Sequence, residues 1–301
     1  MQTAGVEFRS GFWSNLHHTL YAAAWAGRLA RGDHGRVLAG ALPAPLDASL
    51  TPDESRAWSA AVDYYDTTLA SHHLLFGQGM RALNDAVATG RLDDPAVASG
   101  LRAVLNDVTP AYEIHYWRTH DAANRRWIQT TADRVQSLTP TLVPRLEELY
   151  GEPWPADPVP ADIVWVGSRE GAYTTSDPSH VTISSGDPDA QEWAAVETVF
   201  HEVSHLLTET LTRAIDQAAG DRTAAHPTLW HAVQFYLTGM AVRHELARTG
   251  IDYQPYLYAT GLIDRVWSRY RAPVEDNWRP FLDGKTTRDA AAAATLAALT
   301  N

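Results

Sequence analysis

Val196-Glu197-Thr198-Val199-Phe200-His201-Glu202-Val203-Ser204-His205-Leu206-Leu207 repeats apolar residues at helical spacing. Together with Leu211, the residues Val196, Val199, Phe200, Val203, Leu206 and Leu207 follow the i, i+3, i+4, i+7 rule of a single buried helix face. The spacing predicts one helix opening near Pro188, where Asp187-Pro188 supplies a cap and a first-turn proline. His201 and His205 fall off the apolar stripe and are one turn apart, so their side chains project the same way, about 6 Å apart at Cβ. Two imidazoles so placed can share one metal ion. Glu202 points to the edge of that site, where its carboxylate can take a proton from a metal-bound water rather than bind the metal.

The chain has no cysteine. A thiolate site, a disulfide framework and a cysteine nucleophile are therefore all excluded, and any metal must be held by imidazole and carboxylate. Such donors suit several divalent ions; Zn2+ is the expected one.

The residues before this helix hold the convincing strands. His180–Ser185 alternates polar and apolar residues with Val181 and Ile183 on one face. Ile163–Val166 and Gly171–Thr175 are two further short strands. Upstream of them, Gly151 to Asp162 carries Pro153, Pro155, Pro158 and Pro160, a stiff extended connector. Residues 1–150 read as helices. Phe12 to Leu29 has Phe12, Trp13, Leu16, Leu20 and Ala23 as its buried stripe, and Thr51-Pro52-Asp53-Glu54 starts a helix with a capping residue. That second helix is expected to run to about Thr89 with a break near Gly77 and Gly79. Further helices are expected from Asp94 to Asn106 and from Pro110 to Tyr150, broken near Pro140 and Pro144. The expected fold is α+β and mostly α-helical: a helical lobe over 1–150, the connector 151–162, and a second lobe over 163–301 with a small β-sheet and the histidine helix.

A helix starting near Pro227 follows, with Leu229, Val233, Tyr236, Leu237 and Met240 as its inward stripe. His231 sits among these apolar neighbours, 26 residues after His205, a separation that allows an antiparallel return. A buried neutral imidazole needs a partner, and a metal would supply one, so His231 is the leading third ligand. Glu209, Glu245, His244 and His226 remain alternatives.

The 301 residues are 45% hydrophobic and 20% charged, ordinary values for a globular chain. A net charge of -12 with scattered Lys and Arg argues against a nucleic-acid partner. No stretch approaches the roughly 18 apolar residues of a membrane span, and Met1 to Ala30 lacks the pattern of a signal peptide. A cytoplasmic protein without a membrane partner is expected.

His201-Glu202-Val203-Ser204-His205 resembles the active-site helix of the zincin metallopeptidases, and a strand followed by that helix is similar to their edge-strand arrangement. The resemblance covers roughly residues 161–247, and its specific part is five residues long. The metzincin branch would need glycine at position 208 and histidine at 211, where this chain has Thr208 and Leu211. The gluzincin branch is closer, although its Glu-x-x-x-Asp is absent: Glu209, Glu245 and Glu275 all fail the spacing. The resemblance implies a zinc-dependent hydrolase of the peptidase type, with His201, His205 and His231 on the metal and Glu202 as proton acceptor. It also implies an edge strand that pairs with an extended substrate, either His180–Ser185 or Gly171–Thr175. Tyr236 and Tyr173 are candidate donors to the developing oxyanion, each weighed against a packed tyrosine. Glu197 is a candidate acceptor behind His201, weighed against an exposed helix acid. The clusters His17-His18, His72-His73 and His115–Asp121 can line a cleft, or be structural. The substrate is expected to be a peptide or a small-molecule amide. The alternatives are a zinc enzyme acting on a small metabolite, and a helical binding protein with a structural or vestigial zinc site.

Overall fold

The computed structural model describes residues 1–31, 50–74, 78–167 and 171–299. Gly77, one of the two expected helix breaks, lies outside them. The chain is α+β and mostly helical, and it divides into two compact units, Met1–Ala132 with Pro158–Glu192, and Asp133–Asp157 with Trp193–Asn301. The sequence expectation placed the division at the connector 151–162. Instead the strands after the connector join the N-terminal helices, because their hydrogen-bond partners lie at the very start of the chain.

In the first unit, β1 (Gln2–Thr3) and β2 (Val6–Arg9) precede α1 (Phe12–Ala30). Then come α2 (Pro52–Tyr64), a π-helical turn at Tyr65–Leu69, α3 (Gln78–Ala88), α4 (Ser99–Tyr112), a second π turn at Glu113–Trp117, and α5 (Arg118–Tyr150). The strands β3 (Val159–Val164), β4 (Ala172–Ser176) and β5 (Ser179–Ser184) follow. Among the described residues the sheet order is β1-β2-β3-β5-β4, with β2, β3 and β5 parallel and β4 antiparallel to β5. The strand expected at Ile163–Val166 ends at Val164 and starts inside the proline-rich connector. β1 and β2 had no sequence expectation: four residues of strand mean little until β3 pairs with them, Phe8 opposite Ala161. The strand of His180–Ser185 is not an edge strand, since β3 and β5 pair along one side and β4 along the other. The edge falls to β4.

One sheet face is apolar (Val6, Phe8, Ala161, Ile163, Val181 and Ile183, all buried), and Phe8 meets Trp127 of α5 edge-on at 6.3 Å. The other face carries Arg9, Asp162 and Thr182 in register with Tyr173 of β4. Helix α1 covers it with polar residues, Ser14 bonding Asp162 at 3.4 Å and His18 bonding the Tyr173 hydroxyl at 2.7 Å. Helix α1 is thus buried on two sides: Leu16 and Leu20 enter the helical core as expected, whereas the half-buried Phe12 and Trp13 pack against it and Ala23 is only half-buried.

The Thr51 capping box forms as read, its hydroxyl accepting from the Glu54 N–H at 3.3 Å and the Glu54 carboxylate from the Thr51 N–H at 2.8 Å. Helix α5 runs 33 residues through Pro140 and Pro144 without breaking there. Threonine hydroxyls engage nearby carbonyls (Thr139 to Val135 at 2.7 Å, Thr141 to Leu138 at 3.3 Å), and Leu138, Leu142, Leu146 and Leu149 are buried along one side. Packing on that scale outweighs the roughly 3 kcal/mol of an interior proline.

The second unit contains the end of α5 together with α6 (Glu192–Ser204), α7 (Glu209–Ala219), α8 (Leu229–Arg248), α9 (Tyr256–Ala259), α10 (Leu262–Val266), α11 (Arg271–Leu282) and α12 (Arg288–Ala298). The helix expected from Pro188 through Leu211 is therefore three pieces. Asp187 caps a turn by accepting from the Asp189 N–H, α6 starts at Glu192, and a 3-10 turn at His205–Leu207 separates α6 from α7. Val196, Val199, Phe200, Val203, Leu207 and Leu211 are all buried, whereas Leu206 is only half-buried, having lost its helical phase at the break.

Candidate metal centre

His201 is in the last turn of α6, His205 opens the 3-10 turn, and His231 is in the first turn of α8. One ring nitrogen from each meets the others within 4.8 Å, and Nε2 of His201 lies 3.4 Å from Nε2 of His231. Two nitrogens on one tetrahedral zinc, each about 2.0–2.1 Å from it, are about 3.3–3.4 Å apart. The observed spacing therefore fits a shared ion, and it is long for a hydrogen bond between two neutral imidazoles. Burial lowers the pKa of all three: His205 to about 4, and His201 and His231 well below the ordinary value, with their mutual proximity adding to the effect. They are held in the neutral form that ligates metals.

The end of α6 is fixed from behind. Gln234 of α8 donates through Nε2 to the His201 carbonyl at 3.1 Å and to Ser204 Oγ at 3.0 Å, and Ser204 Oγ itself donates to the His201 carbonyl at 2.8 Å. Tyr150, at the end of α5, places its hydroxyl 2.7 Å from Thr238 Oγ1 and 3.2 Å from the Gln234 carbonyl. These buried bonds set the helix ends on which two of the histidines ride. Sequence reading missed Gln234, although it stands three residues after His231 on a neighbouring part of the same helix face.

Glu202 is buried, with Oε2 3.9 Å from His205 Nε2. That places a carboxylate beside the His205 nitrogen. Aromatic rings complete the surround: Phe235 lies on His201 with centroids 3.7 Å apart, Trp230 stacks on His231, and Trp267 meets His231 edge-on.

The structure gives three expected supporting groups other surroundings. Tyr236 is five residues after His231, about 140° round the helix, and it is buried towards Arg279 of α11. Phe235, at four residues, takes the place beside the histidines. Tyr173 belongs to the first unit, where its hydroxyl is engaged by His18 at 2.7 Å and by the Asn84 amide at 3.3 Å. Glu197 is buried but does not back His201. Its carboxylate accepts from the Tyr253 hydroxyl at 2.7 Å and the Tyr256 N–H at 3.0 Å, and burial pushes its pKa up to about 7 against those bonds.

The alternative ligands are placed elsewhere: Glu209 pairs with Arg213, Glu245 with Arg248, and the His226 ring faces Tyr270. His17, His18 and His120 are buried in the first unit. Both ring nitrogens of His17 and of His18 are hydrogen-bonded, and His120 accepts or donates to the Tyr112 hydroxyl at 2.9 Å. These are structural histidines.

Comparison with models of known protein families, with curated proteins and with solved structures returns no match. Among the described residues no helix is long and apolar enough to cross a membrane.

Proposed function

We propose that the chain is a zinc-dependent amide hydrolase of the metallopeptidase type, with His201, His205 and His231 as the metal ligands and Glu202 as proton acceptor. The observation that carries this reading is the convergence of three neutral imidazoles from two helices, with 3.4 Å between two of their Nε2 atoms. A divalent ion there would make a water a better nucleophile and polarise a carbonyl oxygen. Three protein ligands is the usual number for a catalytic zinc, which keeps one position for water or substrate.

Glu202 takes the proton released as water adds to the carbonyl carbon and returns it to the leaving nitrogen. The backbone bonds from Gln234 and Ser204 keep His201 in place without occupying its ring nitrogens.

The test begins with metal content of the purified chain and of His201→Ala and His231→Ala. About one zinc per chain, lost in both variants, supports the centre. Glu202→Gln should keep the metal and lose about 10²–10⁴ in amide hydrolysis rate. No metal bound by the parent chain, even after zinc is added, would sink the reading.

A further inference from the structure

A metal-bound imidazole is ordinarily held in plane by a hydrogen bond from the ring nitrogen that faces away from the ion. His201 lacks one: among the described residues nothing accepts from its buried Nδ1. Its plane is set by packing instead. The Phe235 ring lies over it with centroids 3.7 Å apart and planes inclined at 25°. Phe235 is packed in turn against Tyr256, nearly parallel at 6.2 Å, and against Trp267 at 5.5 Å.

Tyr256 is tied back to α6. Its backbone N–H donates to Glu197 Oε2 at 3.0 Å, and the Tyr253 hydroxyl donates to the same oxygen at 2.7 Å. Glu197 is 1% exposed and stands one helical turn before His201 on α6. The contacts therefore form a closed circuit that leaves α6 at Glu197 and returns to it at His201. The junction is tight. At Gly239 of α8 a Cβ would stand 2.9 Å from Glu197 Oε1 and 2.8 Å from Pro255 Cβ, so the α8 backbone presses on the carboxyl and on the 253–256 segment together. Burying this acid is unfavourable in itself. Burial pushes its pKa up to about 7, and Oε1 has no hydrogen-bond partner among the described residues. What the carboxyl contributes is the pair of bonds that it accepts from the segment.

We propose that Glu197 is a positioning residue for the metal centre: by fastening Tyr256 to α6 it holds Phe235 face-on to His201 and so fixes that imidazole for ligation. It acts through Tyr256 and Phe235, not on the ion. The inference rests on the metal-centre reading above and adds to it a residue outside the ligand set on which the centre depends.

Zinc affinity is measured by competition with a chromophoric chelator, on the parent chain, Glu197→Ala, Glu197→Gln, Tyr256→Leu and the Glu197→Ala, Tyr256→Leu double variant. A merely structural role would lower the melting temperature and leave the affinity of the folded chain unchanged. The expected result is zinc bound about tenfold more weakly by Glu197→Ala. Glu197→Gln should restore most of that loss, because its amide oxygen can accept both bonds. Tyr256→Leu should lose a similar factor, and the double variant no more than either single change, since both act in one line of contacts. Parent-like affinity in Glu197→Ala, a glutamine variant as weak as the alanine one, or losses that multiply in the double variant would each overturn the inference and leave the metal centre standing. A parent chain that binds no zinc would defeat the metal-centre reading, and the inference with it. Should Glu197→Ala not fold, Tyr256→Leu decides alone: parent-like affinity there overturns the inference.

Discussion

At the residue scale, the centre depends on a side chain that never meets the three ring nitrogens. Gln234 is fully buried and satisfies two acceptors at the end of α6, the His201 carbonyl and Ser204 Oγ. Replacing it with leucine removes both bonds and leaves buried oxygens with fewer donors, at about 1–3 kcal/mol. Gln234→Leu is accordingly expected to lower the denaturant midpoint and to weaken zinc retention, because His201 loses its backbone support. An unchanged midpoint with full zinc content would show that Ser204 and Tyr150 suffice. The approach of His201 to His205 was legible from spacing, since one helical turn is local geometry, whereas the arrival of His231 beside them depends on how α8 packs. Tyr236 was misread for want of one rotation: the residue facing the histidines is four positions after His231, not five.

At the element scale, the helices follow their own end signals where those signals are strong. Thr51 and Glu54 reciprocate at the start of α2 on the solvent-exposed surface, with little packing to share the effect. Thr51→Ala should therefore cost about 1 kcal/mol in a thermal or urea melt; no measurable change would show that Pro52 alone sets the helix start. Where packing is stronger, local signals lose. Pro140 and Pro144 were read as breaks, yet α5 continues through them over its buried leucines. The reverse happens after Ser204, where the apolar stripe carries on in sequence but the chain tightens into a 3-10 turn held by Gln234 and Ser204. That tightening puts His205 at the start of a new element, its ring centroid 4.9 Å from that of His201.

For the whole chain, buried titratable groups set how stability responds to pH. In the first unit, burial holds His17 down to about 3 and His18 and His120 down to about 4, all below the ordinary 6.5. The unfolded chain takes up protons at these residues below pH 6.5, while the folded chain refuses them until the lower values are reached. Stability is thus complete above about pH 6.5 and falls with pH through the window down to about 4, by about 1.4 kcal/mol per pH unit for each histidine. Glu197 works the other way. Its folded pKa of about 7 lies above the ordinary 4.5, so its cost to stability grows as pH rises from 4.5 to 7. Urea unfolding at pH 7.5 and pH 5 should show the histidines dominating, with lower stability at pH 5. Higher stability at pH 5 would mean that Glu197 outweighs them.

By itself the sequence determined what periodicity and spacing encode within about one helix length: the helical character, the strands near β4 and β5, the Thr51 cap, and the placing of His201 and His205 one turn apart. Those features need only neighbours along the chain. The tertiary structure alone decided the pairing of β2 with β3 across some 150 residues, the polar face of α1 against the sheet, and the division into units. It also decided which aromatic rings surround the histidines. Each of these depends on contacts between residues far apart in the chain, where hydrogen-bond register and burial outweigh local preference, and no local pattern reports them.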